Sequence, residues 1–152
     1  MGYPECPTVL LADDNENDVR LMQRALRSLN NAARVLVVPD GEAVLAYLEG
    51  EGKYADRVTW PVPGLLFLDE CMPSVSGRDA LFWLRTQPKF RELPVVVWSD
   101  ALLPEQVIVV NKLQAAWCRK GCGFDEMTER LQGAISVARR LARGVESPQG
   151  EN

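Results

Sequence analysis

The chain has 152 residues, 47% hydrophobic and 25% charged, which suits one globular domain with a sizeable core. A net charge of −4 excludes the general affinity for nucleic acid that a strongly basic surface would give. No apolar run approaches the roughly 20 residues of a membrane helix, and the N-terminus lacks the basic start and apolar stretch of a signal peptide, so a cytoplasmic protein without membrane contact is expected.

Thr8–Ala12 is a short apolar run that ends at Asp13-Asp14. Asn15 and Asn17 have capping character, and Val19, Leu21, Met22, Ala25, Leu26 and Leu29 then recur at helical spacing until Asn30-Asn31. Arg34–Val38 reads as a second strand, turned by Pro39-Asp40-Gly41 into a helix through Ala43, Val44, Tyr47 and Leu48 that stops near Gly50. Glu51–Pro63 is the least regular stretch and reads as a loop. Leu65–Leu68 is a third apolar run, and Asp69 stands at its end. Runs this short, bounded by turn signals, suit strands buried on both faces.

After Gly77 a helix turns Ala80, Leu81, Trp83 and Leu84 inward. Pro94 introduces a fourth strand, Val95–Trp98, which ends at Ser99-Asp100. Pro104 fits the first turn of a helix running to about Leu113. Ala115–Cys118 is the fifth strand, ending at Arg119-Lys120, and Phe124, Met127, Leu131, Ala134, Ile135, Ala138 and Leu141 stripe a long last helix. Five alternations of strand and helix imply a doubly wound five-stranded parallel α/β sheet with helices on both faces. One domain over residues 1–144 is expected, with Val145–Asn152 as a polar tail.

Each special polar residue follows an apolar run, and in a doubly wound sheet those strand ends meet at one edge. Asp13, Asp14 and Asp69 would repel each other there at neutral pH. Magnesium relieves such repulsion, since it favours oxygen ligands from a few carboxylates plus substrate phosphate. The fitting chemistry is attack by the Asp69 carboxylate on a phosphoryl group, with Lys120 neutralising the transferring oxygens and Ser99 donating a hydrogen bond to the product. The chain contains no histidine, which excludes Ser-His-Asp and Cys-His mechanisms and an internal phosphohistidine. Cys6, Cys71, Cys118 and Cys122 form no C-x-x-C pair, so a structural zinc site is not expected.

These residues resemble a response-regulator receiver domain of two-component signalling. LLADDNENDVRL, FLDECMP with Gly77, PVVVWS and Lys120 carry the resemblance, which spans Val9 to Leu141. Gly77 stands eight positions after Asp69, and Ser99 thirty, as the family pattern expects. DNENDVRLMQRAL, PDGEAVLAYLEGEGKYAD and LRTQPKFRELPVVV further resemble stand-alone regulators that partner bacterial phytochrome kinases. The resemblance implies that Asp69 accepts the phosphoryl group from a sensor histidine kinase. It implies that Asp13, Asp14, Asp69 and the backbone carbonyl of Cys71 bind Mg2+, that Ser99 is the switch hydroxyl and that Trp117 holds the aromatic switch position. Trp117 reads equally well as a core residue. No activity is expected beyond magnesium-dependent self-phosphorylation and self-dephosphorylation.

Three positions depart from the pattern. Gly121 replaces the proline that usually follows the lysine after a cis bond, and a cis bond before glycine costs roughly 3 kcal/mol. Glu70 replaces a usually apolar residue, and Asp100 a usually small one beside the phosphoryl group, which makes Asp100 a candidate modulator. These departures motivate a second reading, a pseudo-receiver that binds partners with weak or no phosphorylation. A third reading, a magnesium-dependent phosphatase, lacks its usual second aspartate, since Cys71 occupies that position. The chain ends just after the last helix, so output by protein contact is expected. Val107–Val110 make the fourth helix apolar almost all round, which predicts a homodimer or partner surface on the face of the fourth helix, fifth strand and fifth helix.

Overall fold

A computed structural model describes residues 8–29, 34–121 and 123–144. Five parallel strands, β1 (Thr8–Ala12), β2 (Arg34–Val38), β3 (Leu65–Asp69), β4 (Val95–Ser99) and β5 (Ala116–Arg119), lie in the order β2-β1-β3-β4-β5. Five helices join and follow them: α1 (Glu16–Leu29), α2 (Gly41–Glu49), α3 (Gly77–Thr86), α4 (Pro104–Lys112) and α5 (Phe124–Gly144). This is the expected doubly wound architecture.

The pleat sorts the apolar residues into two cores. Leu10, Leu66, Leu68, Val95 and Val97 face α2, α3 and α4. Val9, Leu11, Phe67, Val96 and Trp98 face α1 and α5. Every residue of β3 and β4 is buried, as continuous apolar runs in a two-faced sheet require. Edge strand β2 is more open, and Val37 is exposed. The capping residues explain several helix starts. Asp40 accepts the Ala43 N–H at 2.8 Å, and Ser76 accepts that of Asp79 at 3.1 Å. Asn15 accepts the Asp18 N–H at 3.0 Å, which opens α1 earlier than its apolar stripe suggests.

The structure refines the sequence reading at three places. β5 starts one residue later than expected, at Ala116. Trp83 is only half-buried and packs its ring against Phe90 at 6.1 Å. The stretch Glu51–Pro63 contains a 3-10 turn, Gly52–Ala55, and Tyr54 and Trp60 pack edge-on at 5.3 Å beside Tyr47. Arg57 holds this stretch by donating to the carbonyls of Tyr47, Leu48 and Trp60, so its order rests on long-range bonds that no local pattern announces. At the far end of the sheet Arg85 donates to the carbonyls of Phe90, Arg91, Leu93, Leu113 and Gln114 at 2.7 to 3.1 Å. Burial lowers its pKa to about 10, and these carbonyls are its partners in place of a carboxylate. The helix end at Asn30-Asn31, Cys6, Cys122 and the tail Val145–Asn152 lie outside the described residues. Among the described residues no helix is long and apolar enough to cross a membrane.

Candidate functional site

β1 pairs with β2 on one side and β3 on the other, so the strand order reverses around β1. Ligand crevices of open α/β sheets form at such a reversal, outside the carboxyl ends of the strands. A crevice lies there, lined by Asp14, Asp18, Asp69, Cys71, Ser99, Asp100 and Lys120 among others. Larger grooves lie elsewhere on the surface, but this crevice brings Asp69, Ser99 and Lys120 together.

Asp13 and Asp69 are buried at the ends of β1 and β3, and Asp14 is exposed. One carboxylate oxygen from each of the three lies within 4.8 Å of the others. Lys120 reaches them from beyond β5. Its backbone N–H donates to the Ser99 carbonyl at 2.8 Å, which carries the β4–β5 pairing one residue past the strand. Its ammonium hydrogen-bonds Asp13 at 3.0 Å and Asp18 at 2.9 Å, and it stands 3.1 Å from the Asp69 carboxylate. The same ammonium lies 4.5 Å from the centre of the buried Trp98 ring.

Burial raises the Asp69 pKa to about 6, and the Asp13 charge adds to that rise while Lys120 opposes it. Burial works against charge on Lys120, but hydrogen bonds to Asp18 and Asp13, with the charges of Asp69 and Asp13, hold its pKa above the usual lysine value. Two buried acids and a third at the surface thus share one ammonium. The cluster of Asp13, Asp14 and Asp69 fits a hard divalent cation, because it offers carboxylate oxygens and an excess of negative charge.

Ser99 is buried, donates its hydroxyl to the Ala101 carbonyl at 3.1 Å and accepts the Ala101 N–H at 3.3 Å. The Cys71 N–H donates to Asp69 at 3.3 Å, and its thiol is free and exposed. Gly77 is required by close approach: a Cβ there would stand 2.6 Å from the Asp69 carbonyl oxygen. Gly121 takes φ +82, the left-handed region that glycine adopts without strain, and the described residues contain no cis peptide bond. Glycine here lets a trans chain leave Lys120 pointing into the acidic cluster. Asp100 is exposed on the crevice wall, with a carboxylate oxygen 3.8 Å from where a Gly121 Cβ would lie. Glu70 is buried and accepts from Arg78 at 2.8 Å, while its second oxygen has no partner.

Trp117 sits apart from this crevice. It is half-buried and lines a groove with Val107, Asn111, Arg130, Gly133 and Val137 on α4, β5 and α5. Only Val110 of α4 is fully buried, and Ile108 and Val109 remain 54% and 40% exposed. Sequence reasoning passed over Asp18 and the seat of Lys120 on Trp98. The available signal for Asp18 was its place in the first turn of α1, four residues after Asp14.

A five-stranded parallel sheet with three carboxylates, a hydroxyl and a lysine at its reversal point is the arrangement of a signalling module of the receiver type. The chain belongs to that family: the response regulator receiver domain matches residues 9–132. It is 28% identical over 129 residues to response regulator Rcp1 of Synechocystis, covering 84% of this chain and 86% of that one. The phosphorylated cyanobacterial phytochrome response regulator RcpA superposes with a TM-score of 0.72 at 27% identity, over 93% of this chain and 91% of that one. The Mn(2+)-bound form of Rcp1 superposes with a TM-score of 0.70 at 26% identity, over 96% of each chain.

Proposed function

We propose that this chain accepts a phosphoryl group on Asp69 from a histidine kinase and signals through protein contacts. One observation carries the reading: the Asp69 carboxylate is buried 3.1 Å from a lysine ammonium and beside two further carboxylates. In the step, an Asp69 oxygen forms a bond to phosphorus. The phosphorus–nitrogen bond of the donor's phosphohistidine breaks, and its electron pair returns to the imidazole nitrogen, which takes up a proton.

Asp13, Asp14, Asp69 and the Cys71 carbonyl would hold Mg2+, and the ion when bound supplies positive charge to the transferring oxygens. Lys120 neutralises a further share of that charge. The Ser99 hydroxyl exchanges the Ala101 carbonyl for a phosphoryl oxygen. That exchange moves the loop leading to α4, a local charge biasing a two-state element. The groove containing Trp117 and the exposed side of α4 are where we place the partner or the second copy in a homodimer. The similarity to phytochrome regulators supports a phytochrome-type kinase as the donor.

Purified chain incubated with magnesium and a phosphorylated kinase, or a small acyl phosphate, gains one phosphoryl group labile to hydroxylamine. Asp69→Asn abolishes it. Label on a serine, or unchanged labelling of the variant, overturns the assignment. Loss of phosphorylation in the wild type with retained partner binding would favour the pseudo-receiver reading.

A further inference from the structure

Lys120 carries three ammonium hydrogens, and three carboxylates from different parts of the chain surround it. Two of these, Asp13 and Asp69, belong to the acidic cluster at the strand ends. The third, Asp18, does not. It stands on the first turn of α1, about one-third exposed, and makes the shortest contact to the ammonium, 2.9 Å against 3.0 and 3.1 Å. The contacts to Asp18 and Asp13 have hydrogen-bond geometry. The resting ammonium therefore directs its hydrogen bonds toward β1 and α1, while Asp69 receives an ion pair.

We infer that Asp18 is a positioning residue that competes with the phosphoryl group for Lys120. The inference rests on the proposed phosphorylation of Asp69. Two of the three ammonium hydrogens are committed to Asp18 and Asp13, so a phosphoryl group that draws the ammonium onto its own oxygens pulls against both of these bonds. The partner more easily released gives way first. Asp13 is fully buried and also accepts the Asn15 N–H at 2.9 Å, so it is held in place. Asp18 borders solvent, and water can replace the ammonium on its carboxylate at little cost. Releasing Asp18 is the cheaper exchange. The Asp18–Lys120 bond thus sets how strongly the crevice holds a phosphoryl group, acting through the lysine and touching neither the phosphoryl group nor the metal.

The test measures beryllofluoride affinity at saturating magnesium for wild type, Asp18→Asn, Asp18→Ala and Asp18→Glu, followed by Trp98 fluorescence. Asp18→Asn and Asp18→Ala bind about five- to tenfold more tightly, the modest size reflecting a partly screened pair. Asp18→Glu retains the charge and stays within about twofold of wild type. The same Asp18→Asn change in a Lys120→Met background alters affinity by less than about twofold, because the route through the lysine is gone. Glu16→Gln, which removes a nearby exposed charge paired with Arg20, has no such effect in either background. An equal gain with and without Lys120 shows a general field effect and overturns the inference, as does unchanged affinity in all Asp18 variants. A wild type that binds no beryllofluoride and takes no phosphoryl label overturns the proposed function, and the inference falls with it.

Discussion

Lowering the pH from about 7.5 to about 5 should weaken divalent-cation binding by about tenfold, and the loss should trace to Asp69. Its buried carboxyl titrates at about 6, so a cation must displace a proton below that pH. Proton competition multiplies the apparent Kd by one plus the ratio of proton concentration to acid constant. That factor is close to one at about pH 7.5, about two at pH 6 and about eleven at pH 5. Calorimetric titration with Mg2+ or Mn2+ across this range measures it, and Asp69→Asn should lose most of the slope along with much of the affinity. The same shift has a stability consequence. A carboxyl whose pKa is raised on folding binds its proton more tightly in the folded chain. Its contribution is fully present below the unfolded value of 3.8 and is lost as pH rises through about 6. Metal-free Asp69→Asn should therefore gain in melting temperature over wild type as pH rises from about 4 to about 7, and added metal should reverse the order by binding the folded wild type more tightly than the folded variant. Cation affinity that stays flat between about pH 5 and 7, or a slope that survives in Asp69→Asn, would refute the reasoning.

Asp100→Ala should bind beryllofluoride about fivefold more tightly. Two unit charges roughly 6 Å apart repel by about 3 kcal/mol at an effective dielectric near 20, and solvent leaves an exposed group about a third of that; equal affinities in the variant and wild type would remove Asp100 from the site. Arg85→Ala should cost about 3 kcal/mol in urea unfolding, since five carbonyls lose a charged donor, and Arg85→Lys should recover only part of it because an ammonium has three hydrogens. Ile108→Asp with Val109→Asp should lower self-association or partner affinity at least about tenfold; sedimentation that shows a monomer at high concentration, with and without beryllofluoride, would count against the homodimer.

Much of this protein is legible in its residues because periodicity and punctuation act locally. The continuous runs of β3 and β4 declare strands buried on both faces, and the helical stripe of α5 declares its inward side. Once alternation implies a doubly wound sheet, topology alone brings Asp13, Asp14, Asp69, Ser99 and Lys120 to one edge. Tertiary structure decided the rest, because it turns on side chains meeting across long sequence separations. A glycine after Lys120 sounds like a disruption, yet it takes a left-handed φ that glycine adopts without strain, and the ammonium still reaches the acids. Glu70 looks misplaced among apolar neighbours until Arg78, eight residues on, pairs with it. Arg57 and Arg85 carry no mark in the sequence, and they spend their hydrogens on carbonyls that no local pattern identifies. The exposure of α4 depended on whether another element covered it, and among the described residues none covers Ile108 or Val109. Asp18 is the clearest case. Its sequence position marks only an acidic first helical turn, and the role we infer for it exists because a lysine 102 residues away folds back against it.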